Sequence, residues 1–246
     1  MRFGSGKHES PVARSSRLDT MLHPLLDLAA VWKAKFERAR LERRWEKLRT
    51  MGMHIGQGVN LPASTWIDTS SCFAISIGDW CGFGEQCLIL AHDAQMDEFL
   101  DAGLIGKVTI HESCHFGSRT VVLPGVEVGP RTIVGANSVV AKSLPPETVC
   151  AGIPAKVICS LDEYLARHQA SSAVGPRFPW SEYNINGMTP ERCQELQVAL
   201  EKGAVYITGG FSEELKGKGG TPRTAFDETA KPNGVQYMKQ RRANSD

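Results

Sequence analysis

The chain has 246 residues, 28 of them basic and 27 acidic, for a formal charge of +1. Apolar residues make up 41%, enough for a core, and the even charge argues against a dedicated nucleic-acid binder, which would carry a basic excess. Twenty-four glycines beside a 7% aromatic share exclude a coiled coil and a wholly disordered chain.

Residues 1–17 are polar and read as a disordered N-terminus; positive charge with no apolar core behind it does not make a secretory leader. Residues 18–50 read as a helical segment, with Leu22, Leu25, Leu26, Ala29, Trp32, Phe36 and Ala39 at three-to-four spacing. Its second half, WKAKFERARLERRWEKLR, holds eight Lys/Arg and three Glu. The spacing favours a helix with a solvated face packing on the domain behind it over a nucleic-acid or membrane role. Residues 51–158 carry a repeat, interrupted by a polar loop at 91–107. Helices resume over 159–203, at Leu161–His168 and Pro190–Leu200, the second opening on Thr189 with proline at its first position. Residues 204–246 read as a flexible tail. No run approaches the ~18–20 apolar residues of a membrane span, so no integral membrane segment is expected. Seven cysteines, at 72, 81, 87, 114, 150, 159 and 193, include no CxxC and read as reduced, mostly packed thiols of a cytoplasmic protein.

The repeat has a period of six. Ile110, Phe116, Val122, Val128, Val134 and Val140 are six apolar residues in succession at that spacing. At 41% apolar content such a run has a chance of roughly 0.5% in a chosen frame. The following position is often small (Gly117, Gly129, Gly135, Ala141), and the fourth is compact (Cys114, Thr120, Val126, Thr132, Ser138). An earlier block keeps the frame at Ile55, Leu61, Ile67 and Phe73, slips, and resumes at Ile77, Phe83 and Ile89. Between Ile89 and Ile110 the spacing leaves three residues beyond whole hexads. A period of six suits a parallel β-helix, in which each hexad supplies a short strand and a corner and stacked coils bury a continuous column. The small residue beside each apolar one is expected to let the backbone turn the corner.

The segment HFGSRTVVLPGVEVGPRTIVGANSVVAKSLPPETVCAGIPAKVI, residues 115–158, resembles the closing coils of the hexapeptide-repeat acyltransferases. It is most similar to the galactoside, maltose and polysaccharide O-acetyltransferase group, through the blocks LPGVEVG, VGANSVVAKSLPP and AGIPAKVI. The resemblance implies a mainly β fold, a left-handed parallel β-helix of hexapeptide repeats flanked by N- and C-terminal α-helices. It also implies a homotrimer, acetyl-CoA as donor co-substrate, no metal, and a saccharide acceptor, as in polysaccharide biosynthesis.

In this family a loop extruded from the coils carries the catalytic histidine, which makes His92, in LILAHDAQMD, the expected general base. An imidazole titrates near neutrality and can take the proton of an attacking hydroxyl. Asp93 is expected to contact the acceptor or orient the loop, and Asp68, one coil earlier, is a further acceptor-site candidate. Neighbouring side chains in extended backbone point apart, which counts against Asp93 orienting His92. The resemblance maps the pantetheine groove onto Ser118, Ala136 and Ala141, and the nucleotide phosphates onto Lys142 and Lys156. Ala141 departs from the family's frequent threonine. Pro145, Pro146 and Pro154 are expected to fix the chain's exit from the coils. Cys87 and Cys114 fit the repeat as packed residues, not nucleophiles.

Three other readings compete. Gamma-type carbonic anhydrases use the same coils, but HESCH places His111 and His115 four apart, where the zinc pair of that family sits five apart. A non-catalytic β-helix scaffold would keep the hexads and lose the histidine loop. N-acetylation of an amino-sugar nucleotide remains open within the class.

Overall fold

The computed structural model describes residues 32, 33, 35–37, 39–184 and 187–209. The expectations for residues 1–17, for 18–31 and for the tail beyond 209 lie outside these. Short strands form three sheets along one column. The first holds His54–Ile55, Ile75–Ile77, Val108–Ile110 and Glu127–Val128. The second holds Gly82–Phe83, His115–Phe116, Ile133–Val134 and Thr148–Gly152. The third holds Trp66–Ile67, Leu88–Ile89, Val121–Val122 and Val139–Val140. Successive hexads visit the three sheets in turn, and all these strands pair in parallel. Ala155–Ser160 then folds back antiparallel on Thr148–Gly152 and closes the second sheet.

The period follows from the packing. Ile110, Phe116, Val122, Val128, Val134 and Val140 are all buried in the column. Stacked coils place Phe83 directly against Phe116, their rings parallel with centroids 4.7 Å apart. The compact fourth position is buried at the corner and satisfies its carbonyls. Thr120 Oγ1 donates to the Gly117 carbonyl and Ser138 Oγ to the Gly135 carbonyl, each at 2.7 Å. Cys114 Sγ reaches the Gly129 carbonyl at 3.1 Å. A small residue with one donor suits that place, because an unpaired buried carbonyl is costly.

The small residues act differently from the expectation. The corner conformation is taken two residues later, by Ser113, Arg119, Arg131 and Asn137, all left-handed with φ between 57° and 62°. The glycines are needed for stacking: a Cβ on Gly117 would meet the Ala136 backbone nitrogen at 2.3 Å, and one on Gly129 the Pro146 nitrogen at 2.5 Å. The coil above occupies the space.

Two breaks interrupt the stacking. Ile55 pairs with Ile77, and Ile67 with Ile89, each 22 residues on, four more than three hexads. The extra residues form a turn around Cys72–Ala74, which buries Cys72 and leaves Phe73 exposed, against the expectation that Phe73 keeps the core frame. Ile77 pairs with Ile110, 33 residues on, fifteen more than three hexads. The sequence count of three extra residues is therefore corrected. Ile89 and Ile110 occupy adjacent sheets of the coil path, so only one hexad belongs between them. The fifteen extra residues fall within the loop expected at 91–107, which holds a hairpin of His92–Asp93 and Leu104–Ile105 carrying a four-residue helix, Asp97–Leu100.

Helices lie at both ends. The N-terminal helix, helical at 32–33, 35–37 and 39–50, buries Leu48 at the column's start. Its Arg44 guanidinium donates to the Ala63 and Thr65 carbonyls at 2.9 and 2.7 Å. At the other end Leu161–Val174 extends six residues beyond the predicted His168 and opens on a capping box between Ser160 and Glu163. Pro190–Leu200 is helical as predicted, with Thr189 as its cap. Tyr206–Thr208, assigned from sequence to the flexible tail, instead pairs in parallel with Arg177–Pro179.

Candidate active site

Both breaks fall at the same corner of the column, the step from the third sheet to the first, in consecutive coils. The shorter one delivers Asp68 and Ser70, the longer one His92. Asp68 directly follows buried Ile67, and its backbone N–H still donates to the Ile89 carbonyl in the next coil. His92 lies three residues after Ile89, so its ring comes over Asp68.

The two side chains meet: His92 Nδ1 is 2.5 Å from Asp68 Oδ2. The carboxylate is almost wholly buried, at 1% exposure, whereas 41% of the His92 side chain is accessible. A buried carboxylate needs partners, and this one has five. Oδ2 also accepts the Ala91 and His92 backbone N–H groups at 3.2 and 3.0 Å. Oδ1 accepts the Ser70 backbone N–H at 3.2 Å and its hydroxyl at 2.7 Å. Burial pushes the Asp68 carboxyl up, but the hydrogen bonds from Ser70, His92 and the Ala91 amide outweigh it and hold it below its ordinary 3.8. An ionised Asp68 accepts from Nδ1–H, which leaves the lone pair of the imidazole on Nε2. Ser70 Oγ lies 3.2 Å from the same Nδ1.

Asp68, weighed from sequence as an acceptor contact, is thus the partner of His92. Asp93 turns elsewhere: its Oδ1 accepts the Gln95 backbone N–H at 2.9 Å and shapes the start of the loop. Ser70 was missed. The signal that could have found the trio is arithmetic, since both slips follow an apolar residue of the third sheet.

The donor-groove candidates divide between two corners. Ser118 and Ala136 are exposed and stacked at the corner between the second and third sheets, where Asn137 N donates to the Ser118 carbonyl at 2.9 Å. Lys156, exposed, faces Ala151 across the closing hairpin, next to that corner. Ala141 and Lys142, both exposed, lie further along the corner that carries His92. Within one chain the third sheet separates the two groups.

The remaining chemistry-bearing groups sit apart from this corner. His111 Nε2 is 2.9 Å from Glu127 Oε1, at the step from the first sheet to the second, and His115 stands on the second sheet. Cys72, Cys81, Cys87, Cys114 and Cys150 are buried, and burial pushes the Cys87 thiol up. A hydrogen bond with the Cys81 thiol and burial together push the Cys114 thiol up. Among the described residues no group of three His, Cys, Asp or Glu side chains is arranged to hold a metal.

Three stacked parallel sheets with a six-residue period define the column as a hexapeptide-repeat solenoid. Residues 107–142 match the family model described as bacterial transferase hexapeptide (six repeats). The curated relatives by sequence include proteins named as acetyltransferases. One is YvoF of Bacillus subtilis (strain 168), assigned as an acetyltransferase and 28% identical over 130 residues, which cover 53% of this chain and 73% of the relative. Another is the galactoside O-acetyltransferase of Escherichia coli (strain K12), 39% identical over 56 residues. That stretch is 23% of this chain and 28% of the relative, so the chain spans under a third of the galactoside enzyme. Among solved structures, the hexapeptide-repeat acetyltransferase VCA0836 of Vibrio cholerae O1 biovar eltor, complexed with acetyl coenzyme A, is 20% identical with a TM-score of 0.38. The likeness covers 49% of this chain and 77% of that one.

Proposed function

We propose that the protein is an acetyl-CoA-dependent O-acetyltransferase acting on a saccharide hydroxyl, with His92 as general base and direct transfer. The observation that carries this reading is the His92–Asp68 pair, a buried carboxylate on Nδ1 of a half-exposed imidazole. In the reaction His92 Nε2 takes the proton of the acceptor hydroxyl while its oxygen attacks the thioester carbonyl. The tetrahedral intermediate collapses with cleavage of the C–S bond, and the imidazolium returns the proton to the leaving thiolate. Asp68 stays ionised, fixes the tautomer and stabilises the imidazolium. General-base assistance of this kind contributes on the order of 10²- to 10⁴-fold in rate. Ser118, Ala136 and Ala141 line the path of the pantetheine arm, where small side chains leave the backbone open, and Lys142 and Lys156 offer ammonium groups to the nucleotide phosphates. Asp93 and the rest of the 91–107 loop face the acceptor.

We propose further that the coils wind left-handedly and that the working form is a cytoplasmic homotrimer. An apolar ladder on the outside of the third sheet supports association between copies: Trp66, Leu88, Val121 and Val139 stand in register, with Trp66 and Leu88 exposed. Light scattering that returns the mass of one chain contradicts the trimer.

The test of the reaction is thiol release from acetyl-CoA with a panel of sugars and amino-sugar nucleotides. Sugar hydroxyls are expected to support turnover that His92→Ala abolishes. Turnover with amine acceptors alone transfers the reading to N-acetylation, and wild-type turnover by a folded His92→Ala protein removes His92 from the mechanism.

A further inference from the structure

The sequence places Trp32 and Phe36 on the face that packs the N-terminal helix to the domain, but the structure divides this helix differently. Among the described residues of the helix, only Leu41, Arg44, Trp45 and Leu48 are drawn toward the column, while every described residue from 32 to 40 is exposed. At 3.6 residues per turn those four span an arc of about 100°, and Trp32 and Phe36 lie about 170° and 130° from its centre. Both rings are therefore on the side away from the column, and they stand out in water, 65% and 70% exposed. Trp32 begins about 24 Å along the axis from Leu48. Large apolar rings spaced four apart on a free helix face call for a partner.

The charges around them indicate its chemistry. Lys33 and Arg40 flank the rings on one side and Lys35 on the other, with Arg43 one turn further along the same face, all four exposed. The Lys35 ammonium lies 5.7 Å from the Trp32 ring centre. Glu37, the acidic residue among these first turns, falls toward the packed side. Across the stretch 32–49 the sequence has eight basic and three acidic residues, although the whole chain is nearly neutral.

We infer that this helix docks the protein on an anionic bilayer surface, with Trp32 and Phe36 set into the interface and Lys33, Lys35, Arg40 and Arg43 on the lipid phosphates. No helix among the described residues is long and apolar enough to cross a membrane. The inference is independent of the acetyl-transfer reading, since the helix surface shares no residue with the His92 corner.

Sedimentation of the full chain with vesicles tests it. Vesicles of phosphatidylcholine with about a third phosphatidylglycerol are expected to hold the protein at least roughly tenfold more tightly than pure phosphatidylcholine, with binding weakened by salt. Trp32→Ala with Phe36→Ala, both exposed and so without a core role, is expected to lower that binding about tenfold or more. Lys33, Lys35, Arg40 and Arg43 changed together to Gln should act in the same direction and remove the salt dependence. Failure of the wild-type chain to bind the anionic vesicles overturns the inference, as does binding that survives loss of the two rings. A fall in oligomeric mass on Trp32→Ala with Phe36→Ala, vesicle binding being unchanged, gives the face to a second copy instead.

Discussion

The coils from Val108 to Val140 and the corner that holds Asp68 and His92 are built from the same hexads, but they keep different rules. In the regular coils each residue's role recurs eighteen positions later: Phe116 pairs with Val134 and Val122 with Val140. At the corner the repeat is broken twice, by four residues and by fifteen, and the breaks put a buried carboxylate under an accessible imidazole. Regularity supplies stability there, and irregularity supplies a site.

Substitutions should separate these two contributions. The largest effect expected is on the reaction: His92→Ala should lower kcat/KM for acetyl transfer by about 10²- to 10⁴-fold while the melting temperature stays near wild type. Asp68→Asn follows, with a loss on the order of 10²-fold, because an amide can present N–H to Nδ1 and favour the wrong tautomer. Its stability effect has a definite sign in pH. The folded Asp68 carboxyl titrates below 3.8, so its contribution is full above that value and is lost as pH falls through the lowered folded value. Denaturant unfolding should show the gap between wild type and Asp68→Asn widest near neutrality and closing below about pH 4.

In the coils the effect should reverse. Phe116→Ala removes a ring stacked on Phe83 in the column and should cost about 3–5 kcal/mol in unfolding free energy. Gly117→Ala should cost about 1–3 kcal/mol, because its new Cβ meets the backbone of the coil above. Ser70→Ala is the smallest and falls back on the corner: loss of one hydrogen bond to Asp68 should lower kcat by roughly 2- to 10-fold with little change in KM. A Phe116→Ala protein that keeps its stability, or a Ser70→Ala protein that loses stability and not rate, breaks the division.

The sequence was legible where the repeat is exact in length. All six apolar residues from Ile110 to Val140 are in the column, because a coil of three hexads leaves no other register in which a β-branched residue can be buried. The period could not report where an insertion belongs. Counting by sixes kept Phe73 in the core and left three residues over after Ile89, whereas the vertical pairing of Ile67 with Ile89 and Ile77 with Ile110 assigns four and fifteen. The family resemblance points to His92 and the coil before it to Asp68, but their contact was not legible, since proximity across 24 residues depends on coil geometry and not on local spacing. The corner glycines show the same limit: their spacing was visible, but the atom each would strike belongs to the next coil.

A double-mutant cycle on the rate of thiol release tests the central pairing most directly, using His92→Ala, Asp68→Asn and the two combined. If Asp68 acts through His92, the double variant is no slower than His92→Ala alone. If the two losses multiply, Asp68 has a separate role and the pair is not the catalytic unit.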